Sequence, residues 1–187
     1  VQGITTKGAW ATAPPSHGEE GTVETSAIFV QSQNTESPIW GEPIMLPDRQ
    51  GRGVDCEAPD LRNPPGPPLK MTVCRAYQDR VFLEKLGRGT SERYETAEVS
   101  PGELDEWIEA LWTAVSSQKL LRAEPGVVVL LNARGTPWLA LHLVAEGFRQ
   151  RYGEAARRVA EEARFDSIWV VGPSHDFVER LDTPTAP

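Results

Sequence analysis

The chain has three histidines, His17, His142 and His175, and two cysteines, Cys56 and Cys74. None falls in a C-x-x-C or H-E-x-x-H pattern, so a metal centre has no local signature and no cofactor is expected. There is no G-x-S-x-G, no P-loop and no G-x-G-x-x-G. Gly87-Arg88-Gly89 lacks the third glycine and does not lead from a buried strand into a helix, which makes it a weak phosphate cradle. Two places keep some chemical interest. His175 and Asp176 stand in Gly172-Pro-Ser-His-Asp, just after the last apolar run, at the end of a strand where open α/β sheets often place their sites. They are the best candidates for an enzyme or ligand-binding site, against the ordinary reading of a polar turn. Arg134 precedes a helix whose free N–H groups point outward, so it could help hold an anion there, or simply face solvent. His142 falls beside an apolar stripe and reads as a packing residue.

Composition narrows the classes. A net charge of −8, a pI near 5.0 and the lack of a dense Lys/Arg block leave counter-ion release without a source, so nucleic acid is not an expected partner. No apolar run reaches the roughly 20 residues that span a bilayer; the longest candidate, residues 138–145, carries His142. The chain begins at Val1 without a methionine or a signal peptide, as a processed protein or a fragment would. Cys56 and Cys74 could form one bridge or remain two separate thiols.

The elements that must position these residues are clearest after residue 68. Val127-Val-Val-Leu-Leu131 is a run of five apolar residues bounded by turn residues, the pattern of a strand buried on both faces. Thr136 and Pro137 suit a helix cap and first position, so this strand leads into a helix expected to run to about Arg164, with Leu141, Val144, Phe148, Tyr152, Ala155 and Val159 inward and a break possible near Gly147 or Gly153. Residues 167–172 read as a second buried strand. Ser100-Pro-Gly-Glu103 is a capping box that opens another helix, whose Leu104, Trp107, Ile108, Leu111, Trp112 and Val115 form one stripe ending near Ser117. Residues 69–74 alternate as a strand covered on one side, and residues 80–86 can return as the second arm of a hairpin.

Before residue 69 the pattern changes. Residues 22–31 suit a short edge strand. Pro38, Pro43 and Pro47 interrupt the apolar pieces between them, so this part should lie extended across a surface, anchored by Trp40. Asn63-Pro-Pro-Gly-Pro-Pro68 reads as a linker. The expected organisation is an extended, partly disordered Pro-rich segment at 1–68, a compact domain at 69–181 and a tail at 182–187. The fold class is α/β, a two-layer α+β arrangement in ββαβαβ order with the helices on one face of a small sheet. The other face must be covered by the N-terminal segment or by a second copy.

The order and spacing of several motifs resemble the periplasmic domain of the ExbD/TolR family of biopolymer-transport proteins. The likeness runs through Leu46-Pro47, Pro67-Pro68, Leu69-Lys-Met-Thr-Val73, Val99-Ser-Pro-Gly-Glu-Leu104, Val127-Val-Val-Leu-Leu-Asn-Ala133, Thr136-Pro-Trp138 and Phe165-Asp-Ser-Ile-Trp-Val-Val-Gly172. It covers about residues 46–173. The family's membrane helix with its proton-responsive aspartate is not in the chain, the family usually has an acid where Arg134 or Gly135 stands, and the second helix is longer by several residues. The resemblance implies a non-enzymatic, periplasmic, dimeric domain. It would couple force beside a proton-driven motor subunit of the ExbB/TolQ/MotA kind, reached through an N-terminal membrane helix, and contact a partner or the cell wall. The partner-contact residues nominated are Trp40, Leu46, Pro47 and Arg134. The alternatives are a small enzyme or ligand-binding domain using the 173–176 loop, or a structural adaptor of a larger assembly.

Overall fold

Residues 128–132 are buried without exception, with successive side chains facing opposite sides of a sheet. The computed structural model describes residues 19–46, 53–75, 101–117, 123–134 and 138–183. Within them lie helix α1 (Glu19–Gln33), strands β1 (Ile44–Met45), β2 (Cys56–Ala58) and β3 (Leu69–Arg75), helix α2 (Pro101–Val115), strand β4 (Val128–Asn132), helix α3 (Trp138–Ala163), and strands β5 (Ser167–Val171) and β6 (Val178–Arg180). The six strands form one mixed sheet in sequential order within an α/β fold. β3, β4 and β5 are parallel neighbours, while β1 and β2 at one side and β6 at the other are antiparallel.

Because the parallel strands follow one another in order, α2 and α3 lie on the same face. Leu104, Trp107, Ile108, Leu111, Trp112 and Val115 of α2 all pack into the core there, with Val129, Leu131, Ile168 and Val170 of the sheet beneath. The stripe of α3 runs through Leu141, Val144 and Phe148 as expected, then drifts to Ala156 and Ala160 rather than Ala155. No break occurs at Gly147 or Gly153. A Cβ on Gly147 would lie 2.6 Å from Ile108 Cδ1, so the missing side chain lets the two helices close on each other.

The opposite face is covered from within the chain. Residues 22–31, expected as an edge strand, belong to α1, which seats Phe29 and Val30 on Met71, Val128, Leu130 and Val171. Thr22, Val23, Thr25, Ile28 and Val30 favour a strand locally, but an apolar sheet face needing a lid overrides that preference. With α1 on one side and α2 and α3 on the other, the sheet is the middle of three layers rather than one of two. The Pro-rich residues 63–68 do not separate two units either, since β2 before them pairs with β3 after them. Beyond Val171 the chain adds β6, and Leu181 and Asp182, expected in or beside a tail, are buried. Asp182 accepts from Ile168 N–H (3.3 Å) and Arg180 Nε (2.8 Å), satisfying a donor at the amino end of β5.

Cys56 and Cys74 are not joined in a disulfide and are buried, one in each core, so the sheet itself lies between them. Burial pushes the Cys56 thiol up from its ordinary value, and the adjacent Ser26 hydroxyl opposes this only in part. The returning arm at 80–86, the Gly87-Arg88-Gly89 loop, Ser100, and Thr136 with Pro137 lie outside the described residues.

Candidate functional site

The residues nominated from the sequence fall in two places. Arg134 and the His175–Asp176 pair come to the same end of the sheet, the carboxyl end of β4 and β5, where Ala133 N–H bonds to the Val171 carbonyl (2.9 Å). Trp40 and Leu46 bracket β1 at the far margin, and Pro47 lies outside the described residues.

At the carboxyl end, residues 172–177 form the hairpin connection from β5 to β6. Gly172 N–H bonds to the Phe177 carbonyl (2.7 Å), and Phe177 N–H returns to Ser174 (3.0 Å). His175 Nε2 sits 3.4 Å from Asp176 Oδ1, both partly open to water at the tip of the turn. Neighbouring residues in a turn pair in this way without being aimed at anything. The sequential strand order also removes the crevice that a reversal of winding creates between parallel strands, the usual seat for a ligand in such sheets.

Arg134 is more firmly built in. Its N–H bonds to Asn132 Oδ1 (3.2 Å), fixing the turn that ends β4, and its side chain is only 14% exposed. Nη2 pairs with Glu24 on α1, while Nη1 is buried and has no hydrogen-bond partner among the described residues. Nothing in the sequence pointed to Glu24 as its counter-charge, because the pairing joins a helix to a strand end over a hundred residues away.

His142 is not a core residue. It is largely exposed on α3, with Nδ1 2.6 Å from Glu179 Oε1, and the other Glu179 oxygen takes Arg149 Nη1 at 2.7 Å. Arg149 also reaches the Arg180 carbonyl (3.3 Å). This cluster ties α3 to the edge strand β6. It needs no substrate to explain it.

At the β1 margin, Trp40 bridges to Asp60, and Arg62 lies over the indole at 5.5 Å. The Asp60 carboxylate accepts from Arg62 Nε (2.9 Å), Arg62 Nη2 (2.7 Å), Arg62 N–H (2.9 Å) and Gly66 N–H (2.8 Å). The Arg62 side chain first, then its backbone N–H, hold Asp60 well below the usual carboxylate range. Asp60 binds its proton less readily when folded than when unfolded, so its contribution to stability is present above about pH 4 and is lost as pH falls below that. In urea titrations across pH 2–6, Asp60→Asn should flatten part of the acid slope of the unfolding free energy; an unchanged slope would show that Asp60 is not its source. Around this turn lie the two most exposed large apolar side chains among the described residues, Ile44 at 63% and Leu61 at 55%. Leu61 N–H bonds to the Ile39 carbonyl (2.8 Å), and a Cβ on Gly41 would lie 3.5 Å from Leu61 Cδ2, so Leu61 flanks the Trp40 segment, while Ile44 stands opposite Glu57 further along the margin. Neither stood out in a sequence where Pro38, Pro43 and Pro47 break the pattern.

Among the described residues no group of three or more His, Cys, Asp or Glu is placed to hold a metal ion, and no helix is long and apolar enough to cross a membrane. Compared with protein-family models, with curated proteins and with solved structures, the chain finds no match.

Proposed function

We propose that this chain is a non-catalytic, ExbD/TolR-like domain that works by association, forming a homodimer beside a proton-driven membrane motor subunit in the periplasm. The order of elements supports the family reading. Leu69–Val73 lies on β3, residues 101–104 open α2, residues 127–133 follow β4 and residues 165–172 follow β5, each the type of element the resemblance requires.

The observation that carries association is the apolar margin at β1. α1 already covers one sheet face, so a dimer contact belongs at an edge, and the two edges differ. β6 carries Glu179 and Arg180, and Arg149 occupies its outward Arg180 carbonyl, which guards it against another strand. β1 exposes Ile44, and along the same margin Leu61 is exposed next to the segment that carries Trp40. Pro43 has no N–H to offer there, so the contact is made by side chains rather than by a continued sheet. Trp and Arg side chains dominate the energetics of such contacts, and Trp40 with Arg62 stacked on it is a ready anchor.

Ile44→Glu with Leu61→Glu should leave the fold intact, because both side chains face water. It should raise the dimer dissociation constant at least about tenfold in analytical ultracentrifugation. A wild-type chain that stays monomeric at every accessible concentration would refute the reading. The motor placement has its own check: the coding sequence before Val1 should hold one apolar helix with an aspartate in it.

A further inference from the structure

We infer that Arg134 anchors a small-oxyanion site at the carboxyl end of the sheet, held closed by the amino-terminal half of α1, with Glu24 occupying the anion's place. Three observations meet there. A guanidinium offers five donors in a fixed fork suited to a carboxylate or phosphate, yet Arg134 spends Nη2 on Glu24 and leaves the buried Nη1 with no partner. A buried donor without an acceptor is rare in a folded protein and asks for an explanation. The Arg134 backbone is fixed by its N–H to Asn132 Oδ1 and its side chain is largely buried, while its partner Glu24 is 40% exposed on a helix that is poorly suited to being one.

The two halves of α1 are held differently: Thr25 and Ser26 are fully covered and Val23 lies against the core, but the side-chain anchors that fix the helix to its surroundings gather in the carboxyl half. Its amino half contains Gly21, Thr22, Val23 and Thr25, all weak helix formers. Thr25 Oγ1 turns back to the Gly21 carbonyl (2.7 Å), and buried Ser26 Oγ has no partner of good geometry, only the weak Cys56 thiol beside it. Its carboxyl half is anchored. Phe29 meets Trp169 edge to face at 5.4 Å, and the Asn34 amide takes Ile39 N–H (2.9 Å) and Trp40 N–H (3.0 Å) while donating to the Trp40 carbonyl (2.7 Å). The helix is therefore built to lift at Glu24 and stay seated at Phe29. Lifting uncovers the whole Arg134 fork to an external anion, and the internal carboxylate sets the concentration that the anion must reach to compete.

The test uses the full 187-residue chain, with inorganic phosphate and acetate as separate probes, titrated against chloride at matched ionic strength and followed by calorimetry. Glu24→Gln removes the competing charge while keeping the shape. It should bind one of the two anions at least about tenfold more tightly than wild type, and Glu24→Gln/Arg134→Gln should lose that gain. A preference for phosphate or for acetate identifies the class of group the site takes. Equal affinity in Glu24→Gln and wild type, or a gain that survives loss of Arg134, overturns the proposal. Hydrogen exchange on wild type gives a second reading that needs no variant: amides of the amino half of α1 should exchange at least about tenfold faster than those around Phe29 and Val30. Uniform exchange along the helix would overturn the lid. Self-association at β1 plays no part in either measurement.

Discussion

Phe148→Ala is expected to lower the unfolding free energy by about 3–5 kcal/mol, because Phe148 is the largest fully buried side chain among the described residues. Phe148 is fully buried in the core between α2, α3 and the sheet, and its ring meets that of Tyr152 at 5.7 Å. Tyr152 in turn stacks on Trp112 at 4.9 Å and donates to Glu109 at 2.6 Å, so one side chain supports the whole α2–α3 seam. Removing it leaves a void whose walls belong to rigid helices, and such walls collapse only partly. Urea denaturation should report a lower midpoint with an unchanged slope. A loss under about 1 kcal/mol would mean that the seam repacks freely.

Gly172→Val should cost about 3 kcal/mol, at the upper end of what overpacking does, by a different route. A Cβ at that position would lie 2.6 Å from Leu141 Cδ2, 2.8 Å from Phe177 Cβ and 2.9 Å from the Phe177 carbonyl oxygen. The side-chain end of Leu141 can move aside, but the carbonyl is part of the hydrogen bond that closes the β5–β6 hairpin. The substitution must therefore open the hairpin or push α3 off the sheet. Amide exchange should rise first in β6. If thermal melting shifts by less than about 2 °C, the hairpin is softer than this contact implies.

The second half of the fold was legible because its signals are local. Five apolar residues between turn residues, three of them β-branched, are too short for a helix and suit an interior strand, and the stripe from Leu104 to Val115 has the spacing of one helix face. The first half depends on distant partners. Thr22 to Val30 is a strand by its own preferences and a helix only because Met71, Val128 and Leu130 need a cover. β2 and β6 are three residues each, too short for any periodicity to register, and they exist because β3 and β5 offer open edges to pair with. The candidate sites follow the same division. His175, Asp176 and Arg134 were visible as residue types next to a strand end. Glu24, Ile44 and Leu61 acquire meaning only from what lies beside them in space.

The seating of α1 on the later strands also fixes an order of assembly. Phe29 leaves the ribosome long before its neighbour Trp169, so this helix cannot find its place until β5 has been made. Closing so long a loop is slow, and a segment with a leaning toward extended structure must wait meanwhile beside an unfinished sheet. A nascent chain of this kind gains from whatever keeps residues 22–30 from pairing prematurely, and the charge of Glu24 and the polar run from Gln31 to Asn34 are placed to discourage it.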